Sequence, residues 1–350
     1  MEIGILTWFC GMNYGAQAQA YALQNTLKQM GHTCKIIAYY PDNYKYKNLK
    51  MSLNIEPKWY KHPRQILYSL RRMIQFKKFI KMHPTTVRIN NISQVDSLNL
   101  DLIIIGSDEV VNCIHPFHTD AYFGVNIKKI PIMYYAPSSG ALDEKYVVND
   151  SIKNSLLRFI ALAGRDKHTC QFLYNNTGRT AIQVLDPTML YDFCEFVTKT
   201  TFENYILLYS FSSMTDYQDE IMHYAKEEGK IVISVGRYYK WADISLPYAS
   251  VPEWVSLFAN ASIVITDSFH GLVFSIKYNK EFVLLGRNDK MNKNNDLLNE
   301  LNISRTYWAK EQDISQYLKD NKIDYDSVNY ILHTRIQESL EYIKKNLEKI

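Results

Sequence analysis

The fold is decided by the stretch IVITDSFHG, residues 263–271. An apolar, β-branched run comes first and leads directly into Asp267, Ser268 and a helical pattern. A run of this kind without polar alternation is typical of a parallel strand that is covered on both faces. Asp267 or Ser268 can cap the helix that begins near His270 and Gly271. The stretch therefore predicts a strand–turn–helix unit whose helix amino terminus offers N–H groups to an anionic ligand.

Similar apolar runs alternate with helical patterns along almost the whole chain. The runs are residues 3–7, 34–39, 102–105, 132–135, 205–209, 231–235, 263–266 and 282–285. Helical patterns such as 16–30 and 221–228 end at glycines, which suit a helix C-cap. The alternation predicts an α/β fold with two Rossmann-like, doubly wound domains.

The strand signal lapses between Asp186 and Thr201, so we place the two domains at 1–188 and 189–350. The second domain is expected to end in a long helix, because apolar residues recur at helical spacing within 324–350.

The composition describes an ordinary globular chain. It has 350 residues, of which 47% are hydrophobic and 22% are charged, with a net charge of +4. These values exclude a disordered or collagen-like chain and give no reason to expect a nucleic-acid-binding surface. The five cysteines include no C-x-x-C pair, which argues against a disulfide framework and a structural zinc site. With neither a signal-peptide pattern nor a membrane-spanning apolar stretch, we expect a cytoplasmic protein.

Residues 57–95 contain nine Lys or Arg residues and no Asp or Glu. Ile66, Leu67, Leu70, Met73 and Ile74 fall on one side of a helix in this segment, and aromatic residues flank it. The simpler interpretation, which we favour, is a surface helix whose apolar stripe packs on the core of the first domain. The alternative is peripheral contact of residues 58–88 with an anionic membrane.

Ligands of doubly wound sheets gather at the carboxyl ends of the strands. In the loop 8–16, Asn13 and Gly15 precede a helix and can bring N–H groups close to an anion or a sugar, although a plain strand-to-helix turn explains the pattern equally well. In the loop after 102–105, Ser107 is followed by Asp108, which either caps a helix or accepts a hydrogen bond from a substrate hydroxyl.

Two further side chains are candidates for charge and proton chemistry. Arg165 stands beside a glycine after a short apolar run, where it can clamp a phosphate or simply pair with Asp166 or a carboxylate on the domain surface. His270 lies in the first turn of its predicted helix, and an imidazole can exchange a proton near neutral pH. A lone histidine is often structural, so both interpretations of His270 stay open.

Taken together, the motifs resemble the polysaccharide pyruvyl transferase family. They are NYGA at 13–16, QAYAL at 19–23, GSD at 106–108, LDPT at 185–188, TDSFHG at 266–271 and NK at 279–280. They stand in the family's order over nearly the whole chain, and DSFHG is the most specific of them.

The resemblance implies a fold of glycosyltransferase-B type, with two Rossmann-like domains facing across a cleft. It implies transfer of pyruvate from phosphoenolpyruvate to a pair of sugar hydroxyls, which forms a pyruvate ketal in surface polysaccharide biosynthesis. His270 matches the family's essential histidine, and Arg165 matches an arginine that binds the donor. The candidate substrate-binding residues are Asn13, Gly15, Ser107, Asp108, Ser268 and Gly271.

The chain departs from the family pattern at a few positions. The usual GSDQxWN is GSDEVVN here, with Glu109 and Val111 in place of Gln and Trp. Ala163 and Gly164 replace the serine and valine before the arginine. These changes are compatible with the donor chemistry and bear on the identity of the acceptor.

No cluster of His, Asp and Glu has metal-ligand spacing, so we expect no metal and no cofactor besides phosphoenolpyruvate as donor substrate. The acceptor is expected to be a saccharide, which would be lipid-linked if residues 58–88 contact the inner membrane face. Two alternatives stay open. One is a nucleotide-sugar glycosyltransferase of the same fold, because a helix amino terminus holds a diphosphate equally well. The other is a non-catalytic glycan-binding relative.

Overall fold

Strands and helices follow one another in the α/β order that the sequence predicts. The computed structural model describes residues 1–41, 63–286 and 291–350. The strands are β1 Glu2–Leu6, β2 Thr33–Ile36, β3 Leu102–Ile105, β4 Ile132–Tyr134, β5 Ala163–Gly164, β6 Ile182–Gln183, β7 Tyr205–Tyr209, β8 Ile231–Val235, β9 Ile244–Leu246, β10 Ile263–Thr266 and β11 Glu281–Leu284. The eight predicted strands are confirmed to within a few residues at their ends. β5 lies at the end of the short apolar run that was predicted before Arg165, while β6 and β9 were not predicted.

The helices connect these strands. They are α1 Tyr14–Gln29, α2 Pro63–Ile80, α3 Asp150–Leu157, α4 Lys167–Thr177, α5 Pro187–Leu190, α6 Gln218–Glu227, α7 Val251–Asn260, α8 Phe269–Lys277, α9 Met291–Glu300, α10 Ile314–Asp320 and α11 Tyr325–Leu347. Short 3-10 helices lie at Ile92–Ser97, Asp120–Phe123, Cys194–Phe196 and Thr215–Tyr217. Among the described residues, no helix is both long and apolar enough to cross a membrane.

The described chain divides into two units. Unit 1 holds residues 1–41, 77–192 and 333–350, and unit 2 holds 63–76 and 193–332 except the undescribed 287–290. Each unit contains a parallel sheet with helices, as a Rossmann-like domain does.

The sheet of unit 1 has the strand order β2-β1-β3-β4, with every pair parallel. Ile3 lies opposite Cys34 on one side and Leu102 on the other. All four residues of β3 are buried, which explains why the run 102–105 is apolar without alternation. The short pair β5-β6 continues beyond β4, because the Tyr134 N–H donates to the Ala161 carbonyl at 3.1 Å.

The sheet of unit 2 has the order β11-β10-β7-β8-β9 and is also parallel throughout. Every residue of β7 and β10 is buried, as both strands lie inside the sheet. The carboxyl ends of β7, β8 and β10 therefore meet at one edge, which brings the loop after each strand together.

The second half of α11 differs from the predicted domain arrangement. The sequence assigns 189–350 to one domain, but residues 333–350 belong to unit 1. Ile343 is fully buried in the core of unit 1, and the Tyr342 hydroxyl donates to the Tyr134 carbonyl at 2.9 Å. The predicted boundary at 188/189 lies close to the observed boundary after Asp192. The return of residues 333–350 to unit 1 has no local signal in the sequence.

The segment 58–88 is described only from residue 63 onward. Lys58 and Lys61, and the flanking Trp59 and Tyr60, lie outside the described residues. The predicted apolar stripe does not pack on the core as a whole. Leu67, Leu70 and Ile74 are 46%, 41% and 52% exposed, because the buried side of α2 is formed by Phe76 and Phe79 instead.

His83 lies in the core of unit 1 and makes the stability of the folded protein depend on pH. It is 4% exposed, and its ring lies 5.1 Å from the Phe79 ring and 5.5 Å from the Tyr21 ring. Its Nδ1 lies 3.3 Å from the Oε1 atom of Gln24. Burial, with a smaller effect of Lys28, lowers the pKa of His83 from 6.5 to about 4. The folded protein therefore binds fewer protons than the unfolded chain between these pH values.

We expect the free energy of unfolding to fall by about 3 kcal/mol through His83 as the pH drops from about 6.5 to 4. His83→Phe keeps an aromatic ring between Phe79 and Tyr21 but cannot take up a proton. Urea unfolding across this pH range should show a slope that is flatter by up to about 1.4 kcal/mol per pH unit in the variant. Equal slopes for both proteins would contradict the prediction.

Candidate functional site

In unit 1, a buried polar network lies at the carboxyl end of β3. Gly106 has φ +122°, and a Cβ there would lie 2.1 Å from the Tyr135 carbonyl oxygen, so the chain can turn here only with glycine. The Ser107 hydroxyl that follows donates to Asp186 Oδ2 at 3.2 Å. The Ser107 N–H donates to Gln19 Oε1 at 3.2 Å. The GSD motif is thus tied to α1 and to the LDPT motif, whose residues are far apart in sequence.

Arg165 completes this network. Its Nη1 lies 2.8 Å from Asp186 Oδ2, and both side chains are only 2% exposed. Burial alone would lower the pKa of the guanidinium, but the neighbouring carboxylates, with Asp186 the strongest, outweigh it and raise that pKa. The guanidinium therefore stays charged inside unit 1. Of the two alternatives that the sequence left open, ion pairing is observed, but its partner is the buried Asp186 rather than Asp166 or a carboxylate on the surface.

Asp166 and Asp108 have other roles in unit 1. Asp166 caps α4 by accepting from the Thr169 N–H at 2.7 Å. Asp108 is 7% exposed and accepts from the Glu109 N–H at 2.9 Å, but no helix begins between Asp108 and Asp120. The capping interpretation of Asp108 is wrong, because the chain continues through turns towards the 3-10 helix at Asp120–Phe123.

The loop after β1 leads into α1 through a capping interaction. The Asn13 side chain accepts from the Ala16 N–H at 3.2 Å, and Gly15 is buried in the first turn. The glutamines of this helix were not predicted to be polar anchors. Gln19 donates to Thr7 Oγ1 at 3.0 Å, and Gln17 donates to the Gly11 carbonyl at 3.1 Å. Both glutamines are fully buried, and buried polar side chains need hydrogen-bond partners. Their position among the alanines of an otherwise apolar segment was the only sign of this network in the sequence.

Three half-buried aromatic rings lie beyond the same strand ends. The Trp8 and His115 rings have centroids 4.3 Å apart, and Phe117 lies 6.4 Å from Trp8 and 5.8 Å from His115. The Phe117 N–H donates to Nδ1 of His115 at 3.2 Å, so the neutral ring carries its proton on Nε2. These rings lie at the strand ends where ligands of parallel sheets bind, and they were not predicted from the sequence.

The two residues that depart from the family's GSDQxWN pattern are buried. Glu109 is 7% exposed and Val111 is fully buried. A Cβ at Gly140, which has φ +63°, would lie 2.7 Å from the Glu109 carboxylate. Val111 belongs to the apolar core of unit 1, so it fills space there rather than facing solvent.

In unit 2, β10 ends in the DSFHG motif. Ser268 is the N-cap of α8, and its hydroxyl accepts from the Gly271 N–H at 3.4 Å. Asp267, the other predicted cap, instead accepts from the Phe211 and Ser212 N–H groups, both at 2.9 Å. It thereby ties the loop after β7 to the end of β10.

His270 lies in the first turn of α8. It is 7% exposed, and its ring stands at 84° to the Phe269 ring with centroids 5.4 Å apart. The Lys293 ammonium of α9 lies 5.4 Å from the other member of that pair, Phe269. Arg237, after β8, donates to the Phe211 carbonyl at 2.7 Å. Lys293 thus lies beside the first residue of α8, and Arg237 contacts the loop that Asp267 ties to the end of β10. Neither cation was predicted from the sequence.

Gly271 permits α8 to start this close to the end of β10. A Cβ at Gly271 would lie 2.0 Å from Thr266 Oγ1 and 2.8 Å from its Cβ. We expect Gly271→Ala to destabilise unit 2 by about 3 kcal/mol, because the helix would have to shift. Gly229→Ala is the control, since a Cβ there meets nothing within 4 Å and the positive φ alone costs about 1 kcal/mol. Urea unfolding should rank Gly271→Ala well below Gly229→Ala; similar values would contradict the packing argument.

Comparison with solved structures defines the class of fold. The UDP-GlcNAc 2-epimerase of Neisseria meningitidis, bound to UDP-GlcNAc, has a TM-score of 0.55 and 9% identity, with 100% of both chains covered. The S. aureus MnaA structure with UDP has a TM-score of 0.56 and 12% identity, covering 100% of this chain and 97% of that chain. At these identities the likeness shows the fold alone. The protein has a glycosyltransferase-B type fold of two Rossmann-like units, as predicted.

The sequence profile of the polysaccharide pyruvyl transferase family matches residues 13–289. The chain belongs to this family, which confirms the resemblance drawn from its motifs. The matched range includes the NYGA, GSD, LDPT and DSFHG motifs. None of the curated proteins compared with the chain matches it.

Proposed function

We propose that this protein transfers pyruvate from phosphoenolpyruvate to two hydroxyls of a glycan or glycan precursor, forming a pyruvate ketal in surface polysaccharide biosynthesis. The observation that carries the proposal is the position of His270. This imidazole lies in the first turn of α8, next to the Ser268 cap, in a chain that belongs to the pyruvyl transferase family. A proton donor and the positive end of a helix are thereby combined at one strand end.

The reaction needs one proton delivered to carbon. In the proposed sequence, His270 gives a proton to the methylene carbon of the donor, which becomes a methyl group and leaves a cation at the adjacent carbon. One acceptor hydroxyl attacks that carbon and returns its proton to the imidazole. The bond between this carbon and the phosphate oxygen then breaks, and attack by the second hydroxyl closes the ketal. The second hydroxyl proton leaves with inorganic phosphate.

The donor carries a carboxylate and a phosphate, so its site must supply positive charge. In unit 2, the α8 amino terminus, Arg237 and Lys293 support this requirement. In unit 1, Arg165 is the family's donor-binding arginine by resemblance. The Asp186 carboxylate fixes its orientation and keeps it charged.

The acceptor is a saccharide in this proposal, and unit 1 has side chains suited to it. The Trp8, His115 and Phe117 rings provide faces on which sugar C–H groups can stack, because the π face of an aromatic ring is negative. Asn13, Ser107, Asp108 and Ser268 are the proposed hydroxyl-orienting groups. A lipid-linked precursor as acceptor would place the enzyme at the inner membrane face.

A binding experiment separates this proposal from a nucleotide-sugar glycosyltransferase. Phosphoenolpyruvate at a hundredfold excess over its Kd should stabilise the folded protein by about 2.7 kcal/mol and raise its Tm, while UDP-GlcNAc should not. Inorganic phosphate release is then followed with phosphoenolpyruvate and a panel of free and lipid-linked saccharides. Stabilisation by the nucleotide-sugar alone would replace the proposal with the glycosyltransferase. Binding of a glycan without any phosphate release would favour a non-catalytic relative.

A further inference from the structure

The exposed side of α2 combines basic and aliphatic side chains. We name this surface the basic–aliphatic face, and it consists of Arg64, Leu67, Leu70, Arg71, Ile74, Lys77, Lys78 and, just past the helix end, Lys81. Its members recur every three or four residues, which puts them on one side of the helix. They include every exposed residue of the helix among those whose burial is described.

The opposite side of α2 is held in place by packing. Phe76 and Phe79 are 1% and 2% exposed. The Tyr68 ring lies 5.5 Å from the Tyr238 ring, and Arg72 Nη1 donates to the Gly236 carbonyl at 3.0 Å. These contacts fix the rotation of the helix, so the exposure of the basic–aliphatic face follows from which residues are anchored beneath it.

The aliphatic members of the face are exposed together. Leu67, Leu70 and Ile74 are 46%, 41% and 52% exposed. A single exposed leucine is ordinary in a soluble protein, but three aliphatic side chains in line on one helix form a contiguous apolar strip. Such a strip at the centre of a charged surface indicates a binding partner that can take up apolar side chains.

The charge of the face identifies the partner's sign. Five of its eight members are Lys or Arg and none is acidic, although the chain as a whole has a net charge of only +4. Two other basic residues of the predicted segment are used elsewhere. Arg72 binds the Gly236 carbonyl, and the Arg88 guanidinium lies 4.9 Å from the Tyr40 ring centroid. The described cations that remain are Arg64, Arg71, Lys77, Lys78 and Lys81, and all five are exposed beside the aliphatic strip. Arg71 also lies 5.3 Å from the Tyr248 ring centroid. The complementary surface is therefore anionic and has an apolar layer beneath it.

We infer that the basic–aliphatic face docks on the surface of an anionic lipid bilayer. The Lys and Arg side chains meet the lipid phosphates, and Leu67, Leu70 and Ile74 reach the boundary between headgroups and acyl chains. A second copy of the chain is a poorer occupant, since a two-fold contact of this face with itself brings like charges together. The inference rests on the proposed function in one respect, namely that docking on the bilayer would give the enzyme access to a lipid-linked acceptor.

The test is sedimentation of the full-length protein with vesicles, without donor or acceptor. Vesicles of phosphatidylcholine mixed with phosphatidylglycerol should bind the protein at low salt, and pure phosphatidylcholine should not. Binding should fall steeply as salt is raised. Each basic residue near an anionic surface contributes about fivefold to the partition coefficient, so K77E/K78E should reduce it by about 25-fold or more. L70S/I74S should also weaken binding, because it removes the inserted groups.

Matched controls exclude general effects of charge and polarity. K344E/K345E changes the same net charge at two adjacent exposed lysines in the last turn of α11, and it should retain most of the binding. Leu157→Ser replaces a leucine that is 44% exposed on another helix and should bind like the wild type. Absence of vesicle binding at low salt, or equal losses in K77E/K78E and K344E/K345E, would overturn the inference. So would a dimer in gel filtration that L70S/I74S dissociates while vesicle binding persists.

This outcome is independent of the proposed chemistry. Phosphate release with a soluble saccharide acceptor should be the same for K77E/K78E and the wild type, because no catalytic candidate lies on α2. Vesicle binding without phosphoenolpyruvate-dependent turnover would support the inference and contradict the proposed function. Turnover without vesicle binding would support the proposed function and contradict the inference.

Discussion

His270→Ala should lower phosphoenolpyruvate-dependent phosphate release by about 10²–10⁴-fold, the usual contribution of a positioned general acid. The substitution removes the only group at the start of α8 that we assign to deliver the proton. The helix itself should remain, because the Ser268 cap and the close contact of Gly271 with Thr266 do not involve the imidazole. The measurement is the initial rate of phosphate release at saturating donor and acceptor.

The control for this loss is His223→Ala. His223 is an exposed histidine on α6 in the same unit, 3.3 Å from Glu227. The His223→Ala variant should release phosphate at the wild-type rate. His270→Gln separates size from proton transfer, since it keeps a polar side chain in the helix turn but cannot act as an acid, and we expect it to be as inactive as His270→Ala. Full phosphate release by His270→Ala, with its fold intact, would end the proposed role of this residue.

Arg165→Met should destabilise the protein by about 3–5 kcal/mol, because it leaves the Asp186 carboxylate buried without its cation. Asp186 would keep its hydrogen bonds from Ser107 and Thr188, and these offset only part of the loss. The free energy of unfolding in urea is the measurement, at a pH where carboxylates are ionised. Asp186→Asn should be destabilising as well, since it leaves the guanidinium buried beside a neutral amide.

An exposed ion pair provides the comparison for Arg165. The Lys199 and Glu203 side chains are 87% and 80% exposed and lie 4.0 Å apart. Lys199→Met should change the stability by no more than about 1 kcal/mol. If Arg165→Met and Lys199→Met had equally small effects, the network around Asp186 would contribute little to folding, and Arg165 would be held in place by something other than this pair.

The parallel sheets could be predicted because parallel strands that are buried on both faces have continuous apolar sequences. β3, β7 and β10 are continuous apolar runs, and their predicted and observed bounds agree. The strands that were missed are short. β6 has two residues and β9 has three, so no periodicity can develop within them. Their existence depends on neighbours in space, which the local sequence does not record.

The candidate site was only partly predictable for the same reason. The cap at Ser268 follows from local pattern, and it was one of two predicted alternatives. The pairing of Arg165 with Asp186 joins residues 21 positions apart that follow different strands, and the contact of Gln19 with Ser107 spans 88 positions. The sequence favoured packing for the apolar stripe of α2, because periodicity identifies two sides of a helix but does not tell which one is anchored. Tyr68, Arg72 and Phe76 decide that, through residues far along the chain.

The division of α11 between the units has a consequence for how the protein is made. Tyr342, Ile343 and Leu347 belong to the core of unit 1, yet the ribosome adds them after all of residues 193–332. The nascent amino-terminal portion therefore emerges with an incomplete interior and must wait for a distant segment before it can mature. A fragment that stops at residue 192 should expose that unfilled interior and aggregate, whereas supplying 333–350 as a separate peptide should restore part of its solubility.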